Sequence, residues 1–549
     1  MHLHRITLSL WASSLAAACT SVGDTPARPQ PAALQGDCAQ LAAIALPNGS
    51  LASATAVATG TVVSGNTLPE HCVLQGRLNP RTGADGKPYH IGFELRLPRQ
   101  WNGRFLFQGG GGNDGMVRAA LGPLAGNEAS LPGLRTGALA QGWAVVTTDA
   151  GHQGTNASFG LDPQARIDHA YNAYDVVTRT AKGLIARAYG RAPARSYFVG
   201  CSGGGRQALL FPQRFAQHFD GVAANAPAIK VAKEATVAAL WNVITYSAAA
   251  PLDAGGKPIL SQAFSEADMA LVSRAVLQRC DALDGLADGI IHVNPSACNF
   301  DPAVLRCSGS KNDGCLSDRQ VDALARDFAG PRDSSGRPLY ASWPWDRGVS
   351  GRDWRAWRLG TSTSAVPNSR NATLIAADAM RLEFFTPPAP AFDFMAFDFD
   401  RDPARMDAYA AIYHTTSTDV AAFRDRGGKI LLVHGTSDPI FSANDTIDYL
   451  QRLQAANGGA QAADRFVRLF LVPGMNHCSN SGGPATDLYD ALTPLVAWVE
   501  DGQAPDRIVA RAAADSPWPA RTRPLCPYPK IARYGGLGSI EDAANFRCE

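Results

Sequence analysis

The stretch Ser196-Tyr197-Phe198-Val199-Gly200-Cys201-Ser202-Gly203-Gly204-Gly205 decides how this chain folds. A short apolar strand runs into a serine flanked by glycines, and a helix is expected from about Gly204. Strand, sharp turn and helix form the context of a Gly-x-Ser-x-Gly nucleophile elbow, where small neighbours let a strained turn project the hydroxyl. Upstream, Arg104-Phe105-Leu106-Phe107-Gln108 leads into Gly109 to Gly112, and Trp143 to Thr148 ends at Asp149. Residues 173–190 carry Val176, Val177, Ala181, Leu184, Ile185 and Ala188 at helical spacing, and Gly221 to Ala224 reads as another short strand. Strands alternating with helices predict a largely parallel sheet in an α/β fold, here an α/β-hydrolase core.

Ser202 follows Cys201, and His477 precedes Cys478. If those cysteines are bonded, their Cα atoms lie roughly 4.4–6.8 Å apart, and the next residue along either chain is about 3.8 Å further. Ser202 Oγ and the His477 imidazole then come within reach of each other, as a serine nucleophile and its base require. The acid is expected after a late strand, in the order Ser…Asp…His. Asp438, in His434-Gly435-Thr436-Ser437-Asp438, meets that test; Asp445 is the runner-up, and His434 reads as a structural strand-end residue. Backbone N–H donors for an oxyanion are expected from Gly203 and, in the Gly109 to Gly112 run, from Gly112. That run lacks the Gly-Lys-Ser/Thr ending of a phosphate-binding loop.

The 549 residues suffice for more than one core. With 50 basic and 49 acidic residues there is no electrostatic footprint for nucleic acid. Arg5 followed by the apolar stretch Ile6 to Ala18 reads as an export signal (1–19). Its end resembles a bacterial lipobox that would lipidate Cys19, although Ala16 stands where leucine is usual; cleavage and release is the other route. The protein is therefore expected in the periplasm or on the outer membrane, or secreted, and to act as a monomer. Ten further cysteines in an exported chain read as five disulfides. Sequence leaves the connectivity open, but neighbours along the chain suggest Cys38–Cys72, Cys280–Cys298, Cys307–Cys315 and Cys526–Cys548, leaving Cys201–Cys478.

The strand rhythm lapses between 229 and about 416, a tract rich in Trp, Asp, Pro and Gly, and resumes at Lys429 to Val433 and Val467 to Val472, with a helix expected at roughly 484–500. This predicts core segments 20–228 and 417–549, separated by an inserted lid domain (229–416) over the strand ends. Within the lid, the run Asp281 to Ile290 offers Asp281, Asp284 and Asp288 side chains and the Leu286 and Ile290 carbonyls. Glycines permit the tight turns, and such a set suits a hard cation such as Ca2+.

Together these residues resemble the tannase and feruloyl esterase family, over nearly the whole mature chain. The resemblance implies an α/β-hydrolase core, a lid with one structural calcium, five disulfides paired as above, and cleavage of esters whose acid part is aromatic. It carries over Ser202, Asp438 and His477 as the triad, Gly112 and Gly203 as oxyanion donors, and Trp357 and Phe441 as clamps on the substrate ring. Members that cleave terephthalate monoesters carry glutamate where this chain has Gly203. Their carboxylate-gripping arginine falls on Asn371, with Arg370 one step away and Arg381 further along. The expectation is an exported serine carboxylesterase for feruloyl, galloyl or terephthalate monoesters. Another serine acyl hydrolase, such as a peptidase, and a silent binding protein on a hydrolase scaffold are the alternatives.

Overall fold

The computed structural model describes residues 29–124, 137–479 and 482–549, so the expected signal with Arg5 and Cys19 lies outside the described residues. One mixed sheet of nine strands organises the molecule: β1 (Gly49–Val57), β2 (His71–Thr82), β3 (Pro88–Pro98), β4 (Arg104–Gln108), β5 (Ala144–Thr148), β6 (Arg195–Cys201), β7 (Gly221–Asn225), β8 (Lys429–Gly435) and β9 (Val467–Val472). Their spatial order is β9-β8-β7-β6-β4-β5-β3-β2-β1. From β9 to β5 all pairs are parallel, whereas β3, β2 and β1 continue the sheet antiparallel. Ile430, Leu431, Leu432 and Val433 are all fully buried, as expected of a parallel strand covered on both faces. β2 instead alternates, with Leu74 and Leu78 inward and Gln75 and Arg77 outward.

Helices α1 (Ala173–Tyr189) and α2 (Gly203–Arg214) belong to the first half of the core. The apolar face of α1, Val177, Ala181, Leu184, Ile185 and Ala188, packs into the sheet's cluster, and Gly190 ends the helix in the left-handed region at φ 72°. Between β7 and β8 the chain forms α3 (Thr236–Ala249), α4 (Glu266–Cys280), α5 (Asp318–Phe328), α6 (Arg352–Arg358) and a wide π-type helix, Asn371–Phe384. These elements have a hydrophobic cluster of their own, including Leu240, Tyr246, Val272, Leu324, Trp354 and Met380; it also takes in Phe159 and Phe441. The chain passes between the two clusters at Ala228 and Ile229, and again between Tyr413 and Val420.

In the second half, α7 (Ala443–Ala456) follows β8, and α8 (Leu492–Asp501) lies beyond β9. The helix expected from 484 starts later. Leu488 is drawn into a backbone pair with Arg511, and the Asp490 carboxylate caps the N–H groups of Leu492 and Thr493 at 2.9 Å each. Two small antiparallel pairs close the chain, Ile508–Arg511 with Thr522–Leu525 and Ala532–Tyr534 with Phe546–Cys548. Tyr528 N donates to Leu469 O at 2.7 Å, so this tail covers the outer edge of β9. The five disulfides join Cys38–Cys72, Cys201–Cys478, Cys280–Cys298, Cys307–Cys315 and Cys526–Cys548. No helix among the described residues is long and apolar enough to cross a membrane.

Candidate active site

Ser202 stands at the end of β6 with φ 62° and ψ −123°, a conformation that costs energy for any residue with a Cβ. The turn is held because Ser202 N donates to Asn225 O at 3.0 Å while its carbonyl accepts from Arg206 N at 3.0 Å and Ala228 N at 3.1 Å. Gly200 is required here, since a Cβ on it would lie 2.6 Å from the Gly204 backbone. The Cys201–Cys478 bridge spans 6.1 Å between Cα atoms and ties the elbow to the loop after β9.

On that loop His477 Nδ1 lies 2.7 Å from Asp438 Oδ2. Asp438 comes from the loop after β8, and its Oδ1 accepts from Ile440 N at 2.9 Å and Phe441 N at 3.0 Å. Burial works against the Asp438 charge, but His477, with help from His434, holds its carboxyl below the ordinary range. Burial likewise opposes an imidazolium at His477, and the Asp438 carboxylate outweighs it, so that pKa is raised. Among the described residues His477 Nε2 is buried and has no hydrogen-bond partner, Ser202 Oγ included; such contacts tighten when substrate binds. His434 serves the acid: Nε2 lies 3.4 Å from Asp438 Oδ2 and 3.0 Å from Phe441 O, with Nδ1 on Thr446 Oγ1 at 2.8 Å. Asp445 lies in α7 and pairs with Lys230 at 2.6 Å, so it takes no part in the pair with His477.

The glycine run after β4 lies against the elbow. A Cβ on Gly203 would stand 3.2 Å from Gly111 Cα and 3.5 Å from Gly112 N. Gly112 has φ 62°, a region that favours glycine.

Two aromatic rings flank the histidine, Trp357 from α6 in the segment between β7 and β8, and Phe441 from the loop after β8. The rings of Trp357 and Phe441 meet the His477 ring edge-on, at 5.6 and 5.3 Å between centroids. The Arg370 guanidinium lies 5.4 Å from the centre of the Trp357 ring and pairs with Asp353 at 2.8 Å. Arg381 instead bonds the backbone carbonyls of Ala377 and Phe392. Asn371, where a gapless match placed the arginine, is buried and donates to Asn242 Oδ1 at 3.0 Å. Of these three, Arg370 is the one beside the Trp357 ring.

Three residues here escaped the sequence reading. Asp353 Oδ2 accepts from His477 N at 3.3 Å. Asp346 Oδ2 accepts from Gly474 N at 2.8 Å and from the Thr436 hydroxyl. Trp343 Nε1 donates to Asp438 O at 3.1 Å. Each is a contact between distant parts of the chain, and no local motif announces it.

In the loop Asp281 to Ile290, Asp281 accepts from Gly289 N at 3.0 and 3.1 Å, Asp284 from Leu286 N at 3.0 Å and His292 N at 2.9 Å, and Asp288 from Ile290 N at 3.0 Å. Burial first, then the charges of Asp288 and Asp281, push the Asp284 carboxyl up to about 6. This mutual repulsion, in an all-oxygen donor set, fits a hard cation in its chemistry. The spacing is more open: among the described residues no three such side chains form a metal-holding group. Arg523 pairs with Asp288, and Arg521 donates to Asp288 O at 2.7 Å.

Residues 75–549 match the family model described as tannase and feruloyl esterase. A mono(2-hydroxyethyl) terephthalate hydrolase of Piscinibacter sakaiensis is 46% identical over 535 residues, 89% of this chain and 87% of that protein. A probable feruloyl esterase B-2 of Aspergillus flavus is 31% identical, covering 77% of each chain. The crystal structure of feruloyl esterase B from Aspergillus oryzae superposes with a TM-score of 0.76 at 27% identity, over 93% of this chain and 99% of that one. The chain belongs to the tannase and feruloyl esterase family.

Proposed function

We propose that this protein is a serine carboxylesterase that hydrolyses esters of aromatic carboxylic acids. Ser202 Oγ attacks the ester carbonyl and passes its proton to His477 Nε2, while Asp438 stabilises the resulting imidazolium. The N–H groups of Gly112 and Gly203 receive the oxyanion. The imidazolium then protonates the departing alcohol, leaving an acyl-enzyme on Ser202. Water, deprotonated by the same imidazole, releases the acid and restores the serine.

The observation that carries the reading is the His477 ring, bonded to Asp438, tied through Cys478 to the nucleophile turn, and flanked by Trp357 and Phe441. Two aromatic rings beside the base suit a planar acyl group, and relatives named as a terephthalate monoester hydrolase and feruloyl esterases favour an ester substrate over a peptide. Arg370 is the group for a free carboxylate on that ring, since a guanidinium matches both carboxylate oxygens. Five disulfides support an exported protein, with Cys19 as its lipid anchor if it is retained on the membrane. A structural Ca2+ in the Asp281 to Ile290 loop would offset the repulsion among three carboxylates, taking oxygens of Asp281, Asp284 and Asp288 and the Leu286 and Ile290 carbonyls; no chemical step depends on it.

The test is a panel of methyl ferulate, methyl gallate and the hydroxyethyl monoester of terephthalate, with a serine-directed fluorophosphonate. Ser202→Ala abolishes labelling and turnover, and Arg370→Ala lowers kcat/KM for the monoester more than for methyl ferulate. Turnover retained by Ser202→Ala would sink the mechanism, and equal losses on both esters would remove Arg370 from substrate recognition.

A further inference from the structure

The glycine run that presents Gly112 is held from behind by side chains that no step above uses. Its N–H groups are committed one after another. Gly109 N donates to Val199 O at 2.8 Å, Gly110 N to Gln207 Oε1 at 3.1 Å, and Gly111 N to Asp114 Oδ1 at 3.0 Å. Gln207 Nε2 closes the ring by donating to Asp114 Oδ2 at 3.0 Å, and it also donates to the Tyr174 hydroxyl at 2.9 Å. Asp114, Gln207 and Tyr174 are all buried. Three consecutive donors are thus fixed by strand β6, helix α2 and the loop itself before the chain turns at Gly112 beside Ser202. Burial pushes the Asp114 carboxyl pKa up, so this acid is kept at an electrostatic cost that an apolar residue would avoid.

We propose that Asp114, acting with Gln207, is the positioning residue of the oxyanion hole: it sets the register in which the Gly112 N–H, and not its neighbours, faces the developing charge. This rests on Ser202 being the nucleophile. The pairing is directional. Asparagine at 114 can accept from Gly111 N but then opposes its own NH2 to that of Gln207. If Gln207 flips to meet it, Gly110 N loses its acceptor. Exchanging the two functions restores the match. In D114N/Q207E the asparagine amide donates to one glutamate oxygen, the other accepts from Gly110 N, and the Tyr174 hydroxyl donates where it had accepted.

The experiment measures kcat and KM on methyl ferulate, with thermal unfolding, for wild type, D114N, D114N/Q207E and S202A. It adds inhibition by an aryl boronic acid, whose serine adduct is tetrahedral, and by the product acid. D114N is expected to lower kcat by about 10- to 100-fold, part of the 10²–10³ that a whole oxyanion donor supplies, with KM within about threefold. The boronic acid weakens in parallel and the product acid does not, and the exchange variant regains most of the loss. If D114N does not fold, Q207M, which removes the Gly110 anchor together with the donors to Asp114 and Tyr174 but leaves Asp114 on Gly111 N, carries the same expectation. A folded D114N with wild-type kcat, a loss confined to KM, or a folded exchange variant as slow as the single one would each overturn the proposal. Turnover by S202A would overturn the nucleophile assignment on which it rests, whereas an inactive S202A beside an unaffected D114N would overturn the positioning role alone.

Discussion

Removing the long-range bridge with C201A/C478A separates stability from catalysis. The bonded cysteines are 277 positions apart, for which loop-closure entropy assigns about 5–6 kcal/mol, an upper bound because unfolded chains retain structure. The same relation gives about 2.5 kcal/mol for Cys307–Cys315, whose separation is 8. Both variants should therefore unfold earlier than wild type, the first by more. Their kinetics should diverge. Cys201 and Cys478 are chain neighbours of Ser202 and His477, so freeing them lets nucleophile and base drift, and a 1 Å misplacement costs about 100-fold. Cys307–Cys315 lies before α5 in the segment between β7 and β8, away from these residues in the chain. The assay is kcat on methyl ferulate at a temperature where circular dichroism shows both variants native. The expectation is a loss of about 100-fold for C201A/C478A and none for C307A/C315A. A native C201A/C478A within about threefold of wild type would refute the claim that the bridge positions the pair.

Two further outcomes follow. His477 works as a base when neutral, and its pKa is raised by Asp438 against burial, so activity falls as pH drops through a midpoint above 6.5; Asp438→Asn should move that midpoint to lower pH, and a midpoint that stays put or rises in the pH–rate profile would contradict the assignment. Chelation, or Asp284→Ala with Asp288→Ala, should lower the melting temperature while leaving fluorophosphonate labelling of Ser202 intact, and elemental analysis finding no calcium in active, undialysed protein would remove the metal.

What the sequence revealed depended on how local the physics was. The parallel strands β4 to β9 were legible because burial on both faces makes them continuous apolar runs, and the elbow because its glycines are forced by close backbone approach. Ser202, Asp438 and His477 were legible through the cysteines that flank two of them. β1 was not: its residues Gly49–Val57 are mostly small or polar and half-exposed at the sheet edge, so no alternation marks it. Asp346 and Asp353 were not legible either, because their partners Gly474 and His477 lie 128 and 124 positions away. Asp114 was hidden for a different reason, since its partner Gln207 belongs to another element and neither residue type signals a role. The start of α8 was misjudged because an aspartate cap overrode the apolar pattern.

The contacts of Trp343, Asp346 and Asp353 bear on how such enzymes can be re-engineered. The segment between β7 and β8 is bolted to the acid loop and the histidine loop at once, through Trp343, Asp346 and Asp353. Exchanging this insertion for a relative's would therefore exchange part of the scaffolding of the base as well. A chimera that keeps residues 343–353 from the recipient and exchanges the remainder of the insertion respects that joint; one cut at the domain borders does not.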